Sequence, residues 1–327
     1  MTVNWPRFAE IIRAHERFLL TSHIRPDCDA LGSELGMALI LEALGKRVTI
    51  VNGMETPPNL AFIDPDNRIK VIGETIQMED LDDIEVLMVL DTSAWAQLGP
   101  MGDVLRATKA KKIVVDHHVS EDDLDTEAFK NTTAEATGRL VVEAAEELGV
   151  ELTADMAMPI YAALATDTGW FRFGSVTSGT YRIAAKLLDA GASPPAIYRD
   201  LYEQDTVGRV KLRGVILSRT VTELDGRLAH TYVLKEDFET TGALPADTED
   251  AINMTLAIAG VQFAVIAVEQ ATGGFKLSFR SRCELQCNKI AEQFNGGGHK
   301  AAAGAFIAGS FEEAQPKVLD VVRAAMR

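Results

Sequence analysis

One imidazole and two carboxylates fall within seven residues in His23-Ile24-Arg25-Pro26-Asp27-Cys28-Asp29, directly after the apolar run Phe18-Leu19-Leu20-Thr21-Ser22. Hard and borderline ligands packed so closely, on a loop that cannot bury unpaired charge, suit a divalent cation. Helix capping asks for one such oxygen only, and Asp29 could supply it alone. Two further apolar runs deliver the same chemistry. Ile84 to Leu90 ends at Asp91, and Lys112-Ile113-Val114-Val115 ends at Asp116-His117-His118. Asp167 closes the apolar helical stretch through Thr166, where an anion at a buried helix C-terminus calls for a cation opposite. Of the six histidines, His23, His117, His118 and His299 lie in such clusters, and His15 and His230 read as structural or surface residues.

A second kind of chemistry sits near the C-terminus. Gly296-Gly297-Gly298-His299-Lys300 leads into the small-residue run Ala301 to Ala305. Consecutive glycines let backbone N–H groups form an anion-binding nest, to which His299 and Lys300 add donors. Just upstream, the two-residue period of the stretch from Phe275 sets Ser278, Arg280 and Arg282 on one face.

The elements that must position these groups emerge from the hydrophobic pattern. Phe18 to Ser22 reads as a strand, Leu31 to Leu44 as a helix stopped by Gly45, and Arg47 to Val51 as a second strand. That β-α-β start implies a parallel sheet, whose strands gather loop residues at one carboxyl edge. Thr56-Pro57-Pro58 and Asp64-Pro65-Asp66-Asn67 predict a loop-rich crossover. Ala134 to Leu148 is an acidic amphipathic helix, a second helix from Thr153 carries Pro159, and Trp170-Phe171-Arg172-Phe173 alternates like a short strand. Thr177 to Leu188 is again helical, and Ser193-Pro194-Pro195 breaks the chain. We expect a first domain over residues 1–190, a helical connector over 191–218, and a smaller α+β domain over 219–327. The last should hold a hairpin turning at Asp225-Gly226, a helix opened by Asp247-Thr248-Glu249-Asp250, and strands around Thr272-Gly273-Gly274.

Bulk properties bound the function. The 327 residues exceed the usual limit of one core, and 47% hydrophobic residues are ample for two. No apolar run reaches the about 18 residues of a membrane span, and the N-terminal stretch does not read as a secretory signal. Three cysteines, Cys28, Cys283 and Cys287, do not make a disulfide framework, so a cytoplasmic protein is expected. The net charge of −16 is uneven: residues 1–208 hold 18 Lys and Arg against 34 Asp and Glu, and residues 209–327 hold 14 of each. A long polyanion wants a basic track, so any phosphorylated substrate should be short and held by metal ions and a few arginines.

Taken together, the His-x-x-x-Asp-x-Asp-Ala-x-Gly-Ser stretch, Asp91, Asp116-His117-His118, Asp167 and Gly-Gly-Gly-His-Lys closely resemble the DHH phosphoesterase superfamily with its DHH-associated C-terminal domain. Overall length and the Ser278 to Ser281 stretch look like its oligoribonuclease/pAp-phosphatase (nano-RNase) branch. The resemblance implies an α/β fold: an N-terminal parallel-sheet domain with helices on both faces, and a smaller α+β domain across a cleft. It implies two divalent cations, manganese first, with magnesium or cobalt also compatible. One would take His23, Asp27 and Asp91, the other Asp29, Asp91, His117 and Asp167, with Asp91 shared. His118 would touch the scissile phosphate and Asp116 would orient the histidines. Ser278, Arg280, Gly297, Gly298 and His299 match the part that binds a terminal nucleotide. The implied activity is hydrolysis of short RNA or dinucleotides to nucleoside 5′-monophosphates, and of 3′-phosphoadenosine 5′-phosphate (pAp) to AMP and phosphate, by water that the two metals activate. A cyclic or linear dinucleotide phosphodiesterase, a pyrophosphatase and a non-hydrolytic nucleotide sensor are the rival readings. An apolar connector face, if exposed, would pair two copies as a homodimer. Two positions depart from the family pattern: Cys28 stands between the carboxylates, which predicts an oxidation-sensitive site, and Asn295 precedes the glycines.

Overall fold

A strand buried on both faces needs apolar side chains on both, and the three strands that carry the clustered ligands are of this kind. In the computed structural model, which describes residues 3–119 and 122–327, the chain divides into two units, Met1–Glu203 and Gln204–Arg327.

The first unit opens with α1 (Trp5–Ala14), β1 (Arg17–Thr21), α2 (Cys28–Ala43) and β2 (Arg47–Asn52). A 3-10 turn (Pro58–Ile63) fills the crossover, followed by β3 (Ile69–Val71), β4 (Val86–Leu90), α3 (Trp95–Leu98), α4 (Met101–Ala107), β5 (Lys111–Asp116) and β6 (Glu127–Lys130). Four helices complete the unit: α5 (Thr137–Leu148), α6 (Ala154–Asp167), α7 (Ser178–Asp189) and α8 (Pro194–Tyr202). The six strands run in the order β3-β2-β1-β4-β5-β6, all parallel. Phe18, Leu20, Met88, Leu90, Ile113 and Val115 face the core built with α1, α2, α5 and α6. Leu19, Leu87, Val89 and Val114 face the other way, onto Leu98, Met101 and Leu105. Helices therefore cover both faces of the sheet, as expected.

Helices α2, α5 and α6 approach one another through glycines. A Cβ at Gly32 would lie 2.2 Å from the Pro159 carbonyl oxygen, one at Gly36 2.3 Å from Ile160, and one at Gly138 2.8 Å from Ala163. The backbones of α2 and α6 therefore meet directly, and their ligand-bearing ends are held at a fixed separation.

Two local expectations are corrected. Trp170 to Phe173 is not a strand: Gly169, Trp170 and Phe171 all adopt left-handed backbone (φ 57°, 56° and 60°), folding the chain back on the end of α6. The cap of α2 is Asp27 rather than Asp29, because Asp27 Oδ1 accepts the Asp29 and Ala30 amides at 2.9 and 3.1 Å. Asp29 is thereby released for another task.

The second unit holds α9 (Val207–Ser218), β7 (Val221–Glu223), β8 (Leu228–Val233), α10 (Lys235–Thr241), α11 (Ala251–Leu256), β9 (Phe263–Glu269) and β10 (Phe275–Ser281). It ends with α12 (Cys287–Ala291), β11 (Gly297–Gly298), β12 (Ala302–Ile307) and α13 (Phe311–Met326). Its sheet runs β11-β12-β10-β9-β8-β7, antiparallel except for the β8–β9 pair. The stretch 191–218 is split, with α8 in the first unit and α9 in the second. The acidic run Asp247 to Asp250 ends a 3-10 turn, and only Asp250 stands at the start of α11.

Glu223 ties β7 to α13. It accepts Arg323 Nε at 2.7 Å and Nη2 at 2.8 Å, and His230 Nε2 lies 3.0 Å away. The Arg323 hydrogen bonds hold its carboxyl at about 2, below the ordinary 4.5. A carboxyl so depressed stabilises the fold above its unfolded pKa and loses that contribution as pH falls toward the folded value. Glu223→Gln should thus cost about 1 kcal/mol at pH 7, with the difference from wild type vanishing near pH 2. Urea denaturation at both pH values checks this, and a gap that persists in acid would assign the effect to packing.

Candidate metal centre

Three adjacent strands, β1, β4 and β5, end at the same edge, and each hands a short loop to the site. His23 follows β1, Asp91 follows β4, and Asp116, His117 and His118 end or follow β5. Asp29 enters from the first turn of α2 and Asp167 from the last residue of α6. The structure thus brings together all eight residues expected in the first unit, in three overlapping groups: His23, Asp27 and Asp91; Asp29, His117 and Asp167; and Asp91, His117 and His118, with Asp116 bonded to the last.

Asp91 stands in the middle. Its Oδ2 faces His23 Nε2 at 3.4 Å, and its Oδ1 faces His117 Nε2 at 3.5 Å while accepting Thr137 Oγ1 at 2.8 Å. Its backbone is left-handed (φ 63°), which turns the buried side chain back across the strand ends. Asp29 is also buried. It accepts the Thr137 amide through Oδ2 at 2.7 Å and the Gly138 amide through Oδ1 at 2.9 Å. These are the first two amides of α5, whose own N-cap residue is Ala136, so the helix borrows its cap from α2.

The imidazoles are preset. His23 Nδ1 lies 3.0 Å from the Ile24 carbonyl and His117 Nδ1 lies 3.2 Å from that of Ala134. Each carbonyl claims the Nδ1 proton and leaves the Nε2 lone pair aimed at carboxylates. For His117 those oxygens belong to Asp29 (3.6 Å), Asp91 (3.5 Å) and Asp167 (3.6 Å). Three carboxylate oxygens converging on one imidazole nitrogen make a donor set that a divalent cation would fill. Burial pushes Asp29 and Asp91 well above the ordinary carboxylate value and raises Asp167; Asp91 adds to the shift at Asp29, and Asp27 to those at Asp91 and Asp167. Acids that resist ionisation alone and share two oriented imidazoles fit divalent metal binding.

Asp116 is different. Burial raises its carboxyl, but hydrogen bonds from His118, Ser93 and the His118 amide outweigh it and hold it at about 2. Lys130 Nζ adds a contact at 3.2 Å, and Ser93 Oγ donates to Oδ2. Oδ1 takes both the amide and Nδ1 of His118, at 3.0 and 2.9 Å. That bond raises the His118 pKa, and the ring is half-exposed.

Sequence reading missed Thr137, Gly138, Ser93 and Lys130. A signal existed for the first two, since an amphipathic helix beginning Ala136-Thr137-Gly138 carries no capping side chain of its own and needs an acceptor from elsewhere. Lys130 lies on a four-residue strand too short to register. Cys28, the departure between the two carboxylates, is buried, and burial with the Asp27 charge pushes its thiol up to about 12.

In the second unit, Ser278 and Gly297 flank Gly304 from opposite sides, Ser278 on β10 and Gly297 on β11. Arg280 pairs with Ala302, Lys276, Ser278 and Arg280 share the face turned from Phe275, Leu277 and Phe279, and His299 comes directly after β11. The glycines are less open than a nest. Gly298 has φ 138°, a Cβ at Gly296 would lie 2.2 Å from the Gly304 oxygen, and the His299 amide donates to Ala302 at 2.7 Å. The small residues are there because two backbones close on each other, and the His299 amide is spent in the sheet.

Residues 17–164 match the DHH family, N-terminal domain, and residues 225–327 match the DHHA1 domain. A Thermus thermophilus protein named Bifunctional oligoribonuclease and PAP phosphatase NrnA is 30% identical over 317 residues, covering 96% of this chain and 92% of its own. Its Bacillus subtilis namesake is 28% identical over 327 residues, with 95% and 96% covered. Among solved structures, an exopolyphosphatase-related protein from Bacteroides fragilis superposes with a TM-score of 0.81 at 28% identity, covering 98% of this chain and 94% of that one. Exonuclease RecJ bound to manganese shares the fold, with a TM-score of 0.52 at 16% identity, covering 100% and 96%. By these matches, and by the residues its strand ends bring together, the chain belongs to the DHH family, with a DHH N-terminal domain and a DHHA1 domain.

Proposed function

We propose that this chain is a metal-dependent phosphoesterase that hydrolyses short oligoribonucleotides to nucleoside 5′-monophosphates and pAp to AMP and phosphate. One observation carries the reading: the two oxygens of Asp91 face two differently anchored imidazoles, in a chain 30% identical to a relative named for both activities. His23, Asp27 and Asp91 would hold one divalent cation, and Asp29, Asp91, His117 and Asp167 the other, with manganese the first choice and magnesium or cobalt the alternatives. Such a pair, when bound, supplies Lewis acidity toward phosphoryl oxygens and lowers the pKa of water. The protein's own contribution is positional. Thr137 and the α5 amides fix Asp91 and Asp29 before substrate arrives, and Asp116 fixes His118. With Nδ1 committed to Asp116, His118 Nε2 donates its proton toward a phosphate oxygen or the leaving oxygen. Three free cysteines and short, soluble substrates fit a cytoplasmic enzyme. Among the described residues, no helix is long and apolar enough to cross a membrane.

In the second unit, Ser278, Arg280, Gly297, Gly298 and His299 would hold the terminal nucleotide. Arg280→Ala should raise KM for a dinucleotide about tenfold, leaving metal content as in wild type, and steady-state kinetics with elemental analysis check both. The deciding experiment offers metal-stripped protein, with and without restored Mn²⁺, five substrates: pAp, a dinucleotide, long RNA, a cyclic dinucleotide and pyrophosphate. Mn²⁺-dependent release of mononucleotide from the dinucleotide and of phosphate from pAp, with long RNA slow, is the expected outcome. Turnover of only the cyclic compound or pyrophosphate, or binding without turnover, would overturn it.

A further inference from the structure

The chain's aromatic residues are unevenly placed. Seven of its 13 Phe, 5 Tyr and 3 Trp lie between Tyr161 and Tyr202, the stretch that contains Asp167. After Asp167 the left-handed run at Gly169, Trp170 and Phe171 is costly for aromatic residues and persists only where its surroundings impose it. They do. The Trp170 amide donates to Ala165 at 2.6 Å, and the Arg172 and Phe173 amides donate to Thr168 at 3.0 and 3.1 Å. Trp170 packs edge-on against Tyr198 at 4.9 Å, and Phe171 stacks on Tyr181 at 5.5 Å. This fixed turn throws Phe173 outward, 55% exposed, with its ring resting on the backbone of Gly169, where a Cβ would lie 2.5 Å from it. The ring therefore rests on the residue two positions after Asp167 in the chain.

Charge changes at the same place. Residues 168–202 carry four Lys and Arg against two Asp and Glu, inside the acidic half of the chain. Arg172 is exposed and donates Nε to the Gly169 carbonyl at 2.7 Å, its guanidinium carbon 6.0 Å from the Phe173 ring. Among the described residues it has no carboxylate partner. A preset, exposed π face beside an unneutralised guanidinium, next to a candidate metal ligand, is the chemistry that takes a nucleobase and its phosphate together.

We propose that Phe173 and Arg172 form a nucleotide subsite in the first unit, Phe173 stacking on a nucleobase of the substrate and Arg172 pairing with the adjoining phosphate. This deepens the phosphoesterase reading and rests on it. The subsite reads bases through their faces, so it tolerates any base and rewards the presence of one.

The test compares wild type, Phe173→Ala and Phe173→Trp, with Mn²⁺, on a dinucleotide and on the same compound abasic on one side or the other. Phe173→Ala should lower the preference for the base-bearing compound about tenfold, through KM, for one side of the phosphodiester only. Phe173→Trp, which keeps a π face, should restore it. An unchanged preference, an equal loss on all three compounds, or a wild-type dimer that Phe173→Ala turns into a monomer would each overturn the subsite. If wild type cleaves none of the compounds, the phosphoesterase reading fails separately. Calorimetric binding of the dinucleotide then decides the subsite: a Kd about tenfold weaker in Phe173→Ala supports it, and an equal Kd overturns it.

Discussion

Asp91→Asn should lower kcat on both the dinucleotide and pAp by about 10³- to 10⁴-fold, equivalent to about 4–5.5 kcal/mol of barrier, and deplete bound metal in elemental analysis. The size reflects position. Every other carboxylate in the cluster serves one side, whereas Asp91 turns one oxygen to His23 and the other to His117. Asparagine is the informative replacement because it tolerates the left-handed backbone at this position and can still accept the Thr137 hydroxyl. Alanine would add a conformational cost to the chemical one. Removing a buried charge crowded by other acids should not lower thermal stability, so a loss of activity with an unchanged or raised Tm in metal-free buffer is the signature. Full metal content at wild-type rate would disprove the shared role.

Gly32→Ala should destabilise the protein by about 3 kcal/mol and weaken metal binding together. The added Cβ meets the Pro159 carbonyl oxygen at 2.2 Å and the Ala163 Cβ at 3.0 Å, and a backbone oxygen cannot swing aside as a side chain can. Relief requires α2 and α6 to part, and these helices carry Asp29 and Asp167 to the two sides of His117. Gly45→Ala is the control: its φ of 78° makes the substitution mildly costly, by about 1 kcal/mol, but no atom lies within 4 Å of the new Cβ. Urea titration and Mn²⁺ titration of both variants separate the cases. Equal effects in the two would remove the helix contact from the account.

Much of the fold and of the candidate metal cluster was legible because parallel sheets impose a simple rule on sequence: a doubly buried strand is an unbroken apolar run, and the residues just after it lie at the carboxyl edge. His23, Asp91 and Asp116-His117-His118 obey that rule visibly. The hairpin turning at Asp225-Gly226 and the alternation of β10 were equally plain. The failures share a cause, which is tertiary context acting on short segments. Strands of three and four residues, β3 and β6, exist because the sheet offers them a partner. Trp170 to Phe173 alternates like a strand, yet backbone hydrogen bonds to the end of α6 coil it into a turn. Asp29 looked like a cap for its own helix, and it caps a different one, a hundred residues away in sequence. No local pattern encodes that.

Strand order also constrains how such a centre can vary. In sequence the loop bearing Asp91 comes second of three, and in the sheet β4 lies between β1 and β5. Neighbouring strands stand about 4.8 Å apart, a pitch set by backbone hydrogen bonding and indifferent to side chains. The three ligand-bearing loops are therefore spaced by a ruler that substitution cannot stretch. The crossovers between the strands are free to lengthen or shrink without touching that spacing, whereas a single extra strand slipped between β1 and β4 would double it and leave Asp91 out of reach of His23. For anyone building such a site into another sheet, strand adjacency is the dimension to copy, and loop length is the one to vary.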